Sequence, residues 1–428
     1  MRILVISHNV FSKTSNAGKT LLSYFNDYPK ENIAQFYIHS EIPTDDSCCI
    51  NYYRFTDRDA LKSIFSLKEY GKILGIKNID RERKDSRTDK GAIQALYQFG
   101  RKRTGAIYLV RNLLWTFSRW NSPQLRKWVE DFSPDVIFFA SGDYSFMYTI
   151  ARKIADFANK PLAICCLDDF YIYNANNSSL VGRVEHALRM KNVRRTIERS
   201  SCIFAISDSM REEYQRLFQK PAYTLYTAAK DYQLQHKPDA KQISYIGNLG
   251  YNRNFQLIDI GRVLKKMGLF LDVYSGEKNK EILEGINEEN GIRFHGGISA
   301  EEVLCVMERS MAVIHTESFD EKIMNAVRFS VSTKIAESLM YGPCLLAYGP
   351  EGIASIDYLK ENKAAYVITS KDNLEIGLKE FISNQTLREE IICNSRKLAK
   401  ENHSLNINSQ KVYQWLQMAK EQFEESCG

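Results

Sequence analysis

Short apolar runs alternate with helix-like stretches along almost the whole chain. Runs rich in β-branched or aromatic residues predict buried strands, for example RILVIS and PDVIFFA in the first half and QISYIG and MAVIHT in the second. Amphipathic stretches such as 147–158 and 299–309 lie between such runs and predict helices. The alternation predicts an α/β fold in which parallel sheets are covered by helices, the doubly wound arrangement.

A polar segment without a clear period divides this pattern in two. It spans 221–242 (PAYTLYTAAKDYQLQHKPDAKQ) and predicts a linker. We therefore expect two Rossmann-like domains, over 1–220 and 243–400, that face each other across a cleft. Residues 401–428 predict a helix, and the first domain is its candidate packing partner. Two domains also suit a chain of 428 residues, because one hydrophobic core stops growing well below that length.

Composition and cysteine use favour a cytosolic globular protein. Hydrophobic residues make up 44% of the chain and charged residues 26%. Met1-Arg2 leads directly into a strand-like run, so we expect no signal peptide, and no apolar run reaches the length of about 18 residues that predicts a membrane span. The nine cysteines form no CxxC pair and no zinc-type cluster with histidine, which predicts reduced thiols.

Positive charge is concentrated in the first half of the chain. The first 220 residues hold 34 Lys and Arg against 24 Asp and Glu, and no acidic residue occurs between Asp89 and Glu130. The segment 90–129 also holds three of the four tryptophans. Basic and aromatic residues together are typical of contact with an anionic bilayer, with Trp115 and Trp120 as candidate anchors.

Two structural outcomes are open for the segment 90–129. Contact with anionic lipid predicts a cytoplasmic protein that is peripheral on the inner face of the cell membrane. The alternative is an amphipathic helix whose apolar side packs inward beneath a solvated basic face. Nucleic acid is not an expected partner, because no recognisable binding motif accompanies the charge.

A helix N-terminus near Ser332 is the candidate anion site. The segment HTESFDEKIMNAVRFSVSTKIAESLMYGPCLLAYGP predicts strand, loop, helix and strand, with the helix starting at Ser332-Thr333-Lys334. Two hydroxyls and an ammonium group at a helix N-terminus suit an anion, because the free N–H groups and the helix dipole already favour negative charge. Glu337, one turn further, suits a ribose diol, so the set predicts a nucleoside diphosphate. The same residues also fit ordinary helix capping.

The second half resembles the donor-binding domain of group 1 (family 4-like) glycosyltransferases, which have the two-Rossmann GT-B fold. YIGNLGYNRNFQLIDIGRVL is similar to the family's strand, glycine turn and basic residue near the diphosphate, with Asn248 in the turn and Arg253 at the basic position. IRFHGGISAEEVLCVMERSMAVIHTES is similar to the block whose loop, here near Ile298, touches the nucleobase. STKIAESLMYGPCLLAYGP is similar to the helix that binds ribose and phosphate, which implies the ribose role for Glu337. The resemblance covers about residues 241–370.

In the first half the resemblance rests on fewer residues. The loop SKTSNAGKT follows the first strand, and its Asn16 and Gly18 are candidate donor or acceptor contacts. SCIFAISDSMREEY is similar to the family's last strand and helix of this domain. Asp168-Asp169 occupies the place of the family's histidine after a strand, so Asp169 is the candidate group that binds or deprotonates the acceptor hydroxyl. Its alternative is an exposed polar pair at a strand end.

One departure from the family concerns the donor sugar. The family often pairs two glutamates with seven residues between them, but Phe329 stands where the first would precede Glu337. Glu317 and Asp320 in the preceding loop are the candidates to replace it.

Three other functions remain open. A nucleotide-sugar epimerase has the same two-domain fold. A P-loop nucleotidase is suggested by Gly18-Lys19-Thr20, although Lys13 stands where that motif needs its first glycine. A binding or scaffold protein without turnover is the third, while the absence of GxGxxG argues against a dehydrogenase.

The sequence as a whole predicts a glycosyltransferase that takes an NDP-sugar, with a UDP-sugar as the preferred donor. The expected acceptor is a lipid-linked or other glycan used in cell-surface polysaccharide synthesis, and the resemblance implies retention of anomeric configuration. We expect no cofactor and no metal, because Arg253, Lys334 and a helix N-terminus can supply the positive charge for the diphosphate.

Overall fold

The computed structural model describes residues 1–13, 16–43, 47–75, 104–173, 179–231 and 239–427. They form two compact units. Unit 1 comprises Met1–Leu225 and Ser409–Gly428, and unit 2 comprises Tyr226–Asn408.

Unit 1 is built on an eight-stranded sheet in the order β4-β3-β2-β1-β5-β6-β7-β8. All neighbouring strands are parallel except β3 and β4, which are antiparallel. The central strands are buried along their whole length, as expected for parallel strands covered on both faces. The strands are β1 Ile3–Ser7, β2 Ile33–Tyr37, β3 Asn51–Arg54, β4 Lys72–Gly75, β5 Val136–Ala140, β6 Leu162–Cys166, β7 Cys202–Ala205 and β8 Ala222–Thr224.

Helices between these strands cover the sheet of unit 1. Several start at a side-chain cap, for example α2 at Thr56 and α4 at Ser122, where the hydroxyl accepts from an N–H of the first turn. The helices of this unit are α1 Asn16–Tyr24, α2 Asp57–Ile64, α3 Gly105–Phe117, α4 Pro123–Phe132, α5 Ser145–Ala158, α6 Leu180–Arg199 and α7 Asp208–Phe218, with a 3-10 turn at Lys30–Asn32.

Unit 2 is built on a six-stranded parallel sheet in the order β11-β10-β9-β12-β13-β14. Counted along this unit the order is 3-2-1-4-5-6, which is that of a dinucleotide-binding Rossmann sheet. The strands are β9 Asp239–Ile246, β10 Leu271–Tyr274, β11 Ile292–Gly296, β12 Ser310–Thr316, β13 Cys344–Tyr348 and β14 Tyr366–Ile368. The helices are α8 Arg253–Lys266, α9 Lys280–Leu283, α10 Ala300–Arg309, α11 Glu321–Val327, α12 Thr333–Tyr341, α13 Ala354–Glu361, α14 Leu374–Ser383 and α15 Gln385–Asn402, with a 3-10 turn at Glu288–Asn290.

The C-terminal helix α16 (Leu405–Cys427) packs on unit 1 from Ser409 onward. Val412, Leu416 and Ala419 are buried in the same core as β1 and β5. Its Trp415 ring stacks on Tyr223, with the two ring centroids 4.8 Å apart. The last helix is therefore part of the hydrophobic core of the first unit.

The segment 221–242, expected as a linker, contains regular structure at both ends. Strand β8 adds to the edge of the unit 1 sheet, and β9 forms the centre of the unit 2 sheet. Residues 232–238 lie outside the described residues. The run QISYIG predicted β9, although the strand begins three residues earlier, at Asp239. Strand β8 was missed, because it is short and only partly buried.

The tryptophans expected to be anchors at a membrane surface are buried. Trp115 is 1% exposed and Trp120 is 5% exposed, and the Trp115 indole donates to Asp57 Oδ1 at 2.7 Å. The expectation that they reach headgroup depth is therefore wrong. Residues 90–103 of the basic segment lie outside the described ones. Within the described ranges, no helix is both long and apolar enough to cross a bilayer.

Candidate functional site

The carboxyl end of the unit 2 sheet offers one place where the connections diverge. From the central pair β9 and β12, the chain runs outward in opposite directions to β10 and to β13. Ligands of open parallel sheets bind at such a switch point, in the crevice beyond the carboxyl ends of the strands. Helix α8 begins at this edge because it follows β9, and α12 begins there because it leads back to β13.

The loop between β9 and α8 has an unusual backbone. Tyr251 and Asn252 have positive φ angles of 59° and 60°, so two successive non-glycine residues adopt the left-handed conformation. Asn252 is the N-cap of α8 but gives no side-chain cap, and Asn248 instead accepts from the Gly250 N–H at 2.6 Å. Strain of this kind costs about 1–3 kcal/mol per residue and is concentrated at functional sites.

Arg253, the first residue of α8, forms a buried ion pair across the switch point. Its guanidinium Nη2 donates to both carboxylate oxygens of Glu317 at 2.9 and 3.0 Å, and Nε donates to the Thr316 carbonyl at 3.1 Å. The side chains of Arg253 and Glu317 are only 17% and 4% exposed. The pair joins the segment after β9 to the segment after β12. Within the described residues, Nη1 makes no hydrogen bond.

Two further buried groups surround this pair. His315 lies at the end of β12, where Nε2 is 3.0 Å from Ser355 Oγ and 3.6 Å from Glu317 Oε1. Burial, together with a smaller contribution from the Arg253 charge, lowers the pKa of His315 from its usual 6.5 to about 3. The imidazole is therefore neutral near pH 7. Burial raises the pKa of Glu317 although the Arg253 guanidinium acts against it.

The N-terminus of α12 brings together the four residues of the predicted anion site. Ser332 is the N-cap, and its hydroxyl accepts from the Lys334 N–H at 3.4 Å, while Thr333 is exposed in the first turn. Lys334 Nζ donates to Glu337 Oε2 at 2.9 Å. The predicted phosphate and ribose contacts therefore pair with each other in this structure.

The candidates for the donor-sugar hydroxyls are both occupied. Glu317 is held by Arg253, as described above. Asp320 caps α11, where its Oδ1 accepts from the N–H groups of Lys322 and Ile323. Phe329, which replaces the expected glutamate, is a buried core residue.

The predicted nucleobase loop lies at the same edge of the unit 2 sheet. Ile298 is partly exposed between β11 and α10, directly before the N-cap Ser299. Gly296 has a φ of 77°, and a Cβ on Gly297 would lie 3.3 Å from Gly276 Cα. The loops after β10 and β11 therefore approach closely, and Gly297 has little room for a side chain.

Asp169 is held by hydrogen bonds that argue against its candidate catalytic role. Its carboxylate accepts from the backbone N–H groups of Tyr171, Ile172 and Tyr173 at 2.8–3.0 Å. It also accepts from the Tyr214 hydroxyl at 2.9 Å. These four donors occupy both carboxylate oxygens and tie them to the chain that follows β6. We therefore assign Asp169 to holding the turn after β6.

Gly18, in the first turn of α1, packs closely against the loop that precedes the helix. A Cβ on Gly18 would lie 2.5 Å from the Val10 carbonyl, so Gly18 allows α1 to approach the chain after β1. Helix α1 begins at Asn16 and already contains Gly18 and Lys19, whereas a phosphate-binding loop places its glycines before the helix. Residues 14 and 15, and the side chain of Asn16, lie outside the described part. This geometry disfavours the P-loop alternative.

Unit 1 has a polar cluster at its own switch point, between β1 and β5. The His8 ring after β1 stacks on Tyr144 after β5 at 4.8 Å, and the Arg111 guanidinium lies 4.0 Å from the same Tyr144 ring. Arg111 also pairs with Asp57 at 3.0 Å. Burial lowers the pKa of His8 from 6.5 to about 4, so its imidazole is neutral near pH 7. His8 directly follows the apolar run of β1, where residues of a ligand site are expected, but the roles of Arg111 and Asp57 had no signal in the sequence.

Comparison with solved structures shows the fold. The chain matches Anabaena Alr3699/HepE in complex with UDP at a TM-score of 0.61 and 11% identity, covering 98% of this chain and 100% of that one. It matches α,α-trehalose 6-phosphate synthase from Burkholderia multivorans at a TM-score of 0.62 and 12% identity, covering 100% and 98%. It also matches the E. coli trehalose-6-phosphate structure bound with UDP-2-fluoro glucose, at 0.61 and 9%, covering 98% and 99%.

These identities are too low to carry an activity from one protein to another. No family model matches the chain, and no curated protein sequence matches it. The likeness nevertheless extends over nearly the full length of each protein, through both α/β units. The chain therefore has the GT-B fold, as the alternation of strands and helices and the resemblance of residues 241–370 predicted.

Proposed function

We propose that the protein is a glycosyltransferase that transfers a sugar from a UDP-sugar to an acceptor hydroxyl. The observation that carries the proposal is the unit 2 switch point. Two helix N-termini start at that edge, α8 with Arg253 and α12 with Lys334, and the carboxylate of Glu337 lies one turn into α12. Positive groups beside a diol acceptor fit a nucleoside diphosphate.

The pair formed by Lys334 and Glu337 supports this assignment. A nucleotide offers each member a replacement partner, a phosphate oxygen for the ammonium group and ribose hydroxyls for the carboxylate. Binding can therefore open the 2.9 Å contact without leaving either charge unpaired. In this proposal the base lies against the loop at Ile298, and Asn248 lines the opposite side.

Arg253 acts differently from Lys334. The charge of Arg253 is already neutralised by Glu317, and their ion pair holds the segments after β9 and β12 together. In this proposal Nη1 of Arg253 donates to the diphosphate. This polarised donor costs no reorganisation when the ligand arrives. Solved structures of the same fold in complex with UDP and with UDP-glucose favour a UDP-sugar as donor.

In the proposed reaction, the acceptor oxygen bonds to the anomeric carbon of the donor sugar. The bond from that carbon to the UDP oxygen breaks, UDP leaves with the electron pair, and the hydroxyl proton passes to the leaving phosphate or to water. Developing charge on UDP is stabilised by the N-terminus of α12 and Lys334. We propose retention of anomeric configuration from the resemblance.

We propose that unit 1 binds the acceptor, a lipid-linked glycan intermediate of surface polysaccharide synthesis. The support is the cluster of His8, Arg111 and Tyr144 at its switch point, where neutral imidazole, guanidinium and aromatic ring together suit a sugar or phosphate group. The order of strands places this cluster at the same kind of edge as the donor groups of unit 2.

Calorimetry and a transfer assay test the proposal in two steps. Titration with UDP should give a saturable heat that GMP and CMP reproduce more weakly. Labelled UDP-glucose and UDP-N-acetylglucosamine are then incubated with polyprenyl-pyrophosphate-linked sugars, and label should move to the lipid phase. Binding of UDP without transfer to any acceptor would favour a scaffold role, and conversion of UDP-sugar without acceptor would favour an epimerase.

A further inference from the structure

Exposed apolar side chains are concentrated on one part of unit 1. More than half of the exposed large hydrophobic side chains of the described residues belong to α2 with the loop after it, β4, α3 and α6. Exposed hydrophobic residues that occur singly need no explanation, whereas a contiguous group marks an interaction surface.

Helix α3 presents an apolar stripe to solvent. Ala106, Val110, Leu113 and Phe117 are all exposed, and their spacing of four, three and four residues places them on one helix face. Phe117 is 67% exposed. The opposite face carries Trp115, which is buried against the core. From Ala106 to Phe117 the stripe is about 16 Å long.

The stripe continues at both ends of α3. Where the helix ends, the Arg119 N–H donates to Ser63 Oγ at 3.0 Å, which places this end beside α2. The loop that follows α2 exposes Phe65 and Leu67, at 83% and 84%. At the start of α3, a Cβ on Gly105 would lie 2.8 Å from Gly182 Cα, so α3 and α6 meet there.

Helix α6 presents the same kind of face beside that contact. Leu180, Val184 and Leu188 are exposed at a spacing of four residues, opposite the buried Gly182 and Glu185. We call the exposed faces of α3 and α6, with the loop after α2, the apolar band.

Basic residues flank the apolar band. The exposed side of α6 continues into Lys191, Arg194 and Arg195, and Arg183 is exposed between the apolar positions. The two acidic residues of α6 pair with two of its arginines, Glu185 with Arg189 at 3.8 Å and Glu198 with Arg194 at 2.8 Å. The excess positive charge of this flank therefore comes from Arg183, Lys191 and Arg195. Helix α3 contains no acidic residue.

We infer that the apolar band is the surface by which unit 1 docks on an anionic lipid bilayer. Apolar side chains of the band enter the headgroup region, and the flanking Arg and Lys side chains bind lipid phosphates. Burial of apolar surface and electrostatic attraction, each weak alone, together give the binding free energy. The inference rests on the proposed function in one respect: a lipid-linked acceptor is reached only at the bilayer. A protein partner would be expected to carry acidic groups that match the same basic flank, and it is an outcome of the test below.

The test is cosedimentation of the full chain with extruded vesicles. Vesicles of phosphatidylglycerol and phosphatidylethanolamine are compared with vesicles of phosphatidylcholine alone, each at low and high salt. Leu113→Ser/Phe117→Ser replaces two apolar residues of the α3 face, and Leu180→Ser/Val184→Ser replaces two of the α6 face. The matched control is Leu217→Ser/Ile376→Ser, which changes two exposed hydrophobic residues elsewhere. Because all these side chains face solvent, the variants should fold, and their melting temperatures and UDP affinities check this.

We expect wild type and the control to bind the anionic vesicles and to lose that binding on pure phosphatidylcholine. Each band variant should bind anionic vesicles about tenfold more weakly while binding UDP normally. Wild type that binds UDP but ignores anionic vesicles at low salt overturns the inference and leaves the proposed function standing. Vesicle binding without UDP binding supports the band and overturns the proposed function.

Two other results would also overturn the inference. One is band variants that bind vesicles as well as wild type does. The other is a wild type that does not bind vesicles but forms a dimer in sedimentation velocity, when the band variants remain monomeric. This result would assign the band to contact with a second copy of the chain.

Discussion

Replacing Arg253 with alanine should destabilise unit 2 as well as weaken nucleotide binding. The substitution leaves the Glu317 carboxylate, only 4% exposed, without the guanidinium that donates to both of its oxygens. Removing one member of a buried ion pair costs about 3–5 kcal/mol. A unit of this size loses about 2–4 °C in melting temperature per kcal/mol, so the expected shift is about 6–20 °C.

Calorimetry combined with fluorescence assigns this loss to one unit. The four tryptophans stand at positions 115, 120, 128 and 415, and all belong to unit 1. A calorimetric transition that moves to lower temperature without a matching change in tryptophan fluorescence therefore reports unit 2. The double variant Arg253→Met/Glu317→Leu provides the control, because replacing both members with apolar side chains is often neutral.

The double variant should recover most of the lost melting temperature and still bind UDP poorly. That combination separates the structural contribution of the pair from its contact with the ligand. The reasoning is refuted if Arg253→Ala melts within about 2 °C of wild type, which for a unit of this size corresponds to about 1 kcal/mol or less. It is refuted equally if the double variant melts as low as the single one.

Four further predictions follow from individual contacts. Lys334→Ala should weaken UDP binding about tenfold and leave the melting temperature unchanged, since a partly exposed ion pair contributes only about 0–1 kcal/mol to stability. Turnover by the wild type should survive EDTA, and a loss of turnover that Mg²⁺ restores would contradict the metal-free expectation. Glu337→Ala should weaken UDP and uridine binding, and unchanged calorimetric affinities would leave Glu337 only a favourable interaction with the helix dipole. The pKa of His315 is lowered from 6.5 to about 3, so below pH 6.5 the unfolded state binds a proton that the folded state does not. Relative to His315→Gln, the wild type should therefore lose up to about 1.4 kcal/mol of unfolding free energy per pH unit below pH 6.5. Urea unfolding that gives both proteins the same pH dependence of this free energy would exclude the prediction. Asp169→Ala should lower the melting temperature and leave the pH dependence of kcat unchanged. If Asp169 is a catalytic base, the substitution should instead change the pH dependence of kcat and leave the melting temperature unchanged.

The strands were predictable because parallel strands covered on both faces leave continuous apolar runs. VIFFA and LAICC have no other simple interpretation, and each is buried throughout. The start of α12 was predictable for a similar local reason, since a hydroxyl residue before an apolar period indicates a cap. Strand β8 was missed because it is short and only partly buried.

Contacts between distant residues could not be predicted in the same way. Arg253 and Glu317 are 64 positions apart, and a single sequence contains no record of which acid neutralises which base. Helix α3 shows a related limit. Its apolar residues lie on two faces, so periodicity alone cannot tell whether Trp115 or Phe117 faces the core. The turn stabilised by Asp169 could have been predicted from the sequence, because an Asp side chain commonly accepts hydrogen bonds from N–H groups two to four residues later.

The position of α16 has a consequence for synthesis of the protein. Unit 1 takes part of its core from Val412, Leu416 and Ala419, which the ribosome delivers after the whole of unit 2. Unit 2 is continuous in sequence and can complete its fold as soon as Asn408 has emerged. At a translation rate of about 5–20 residues per second, α16 is synthesised about 10–40 s after the first 225 residues, whose core it completes. During that interval the apolar surface beneath α16 is open to chaperones, so truncation before Ser409 should yield a chain that is captured rather than released.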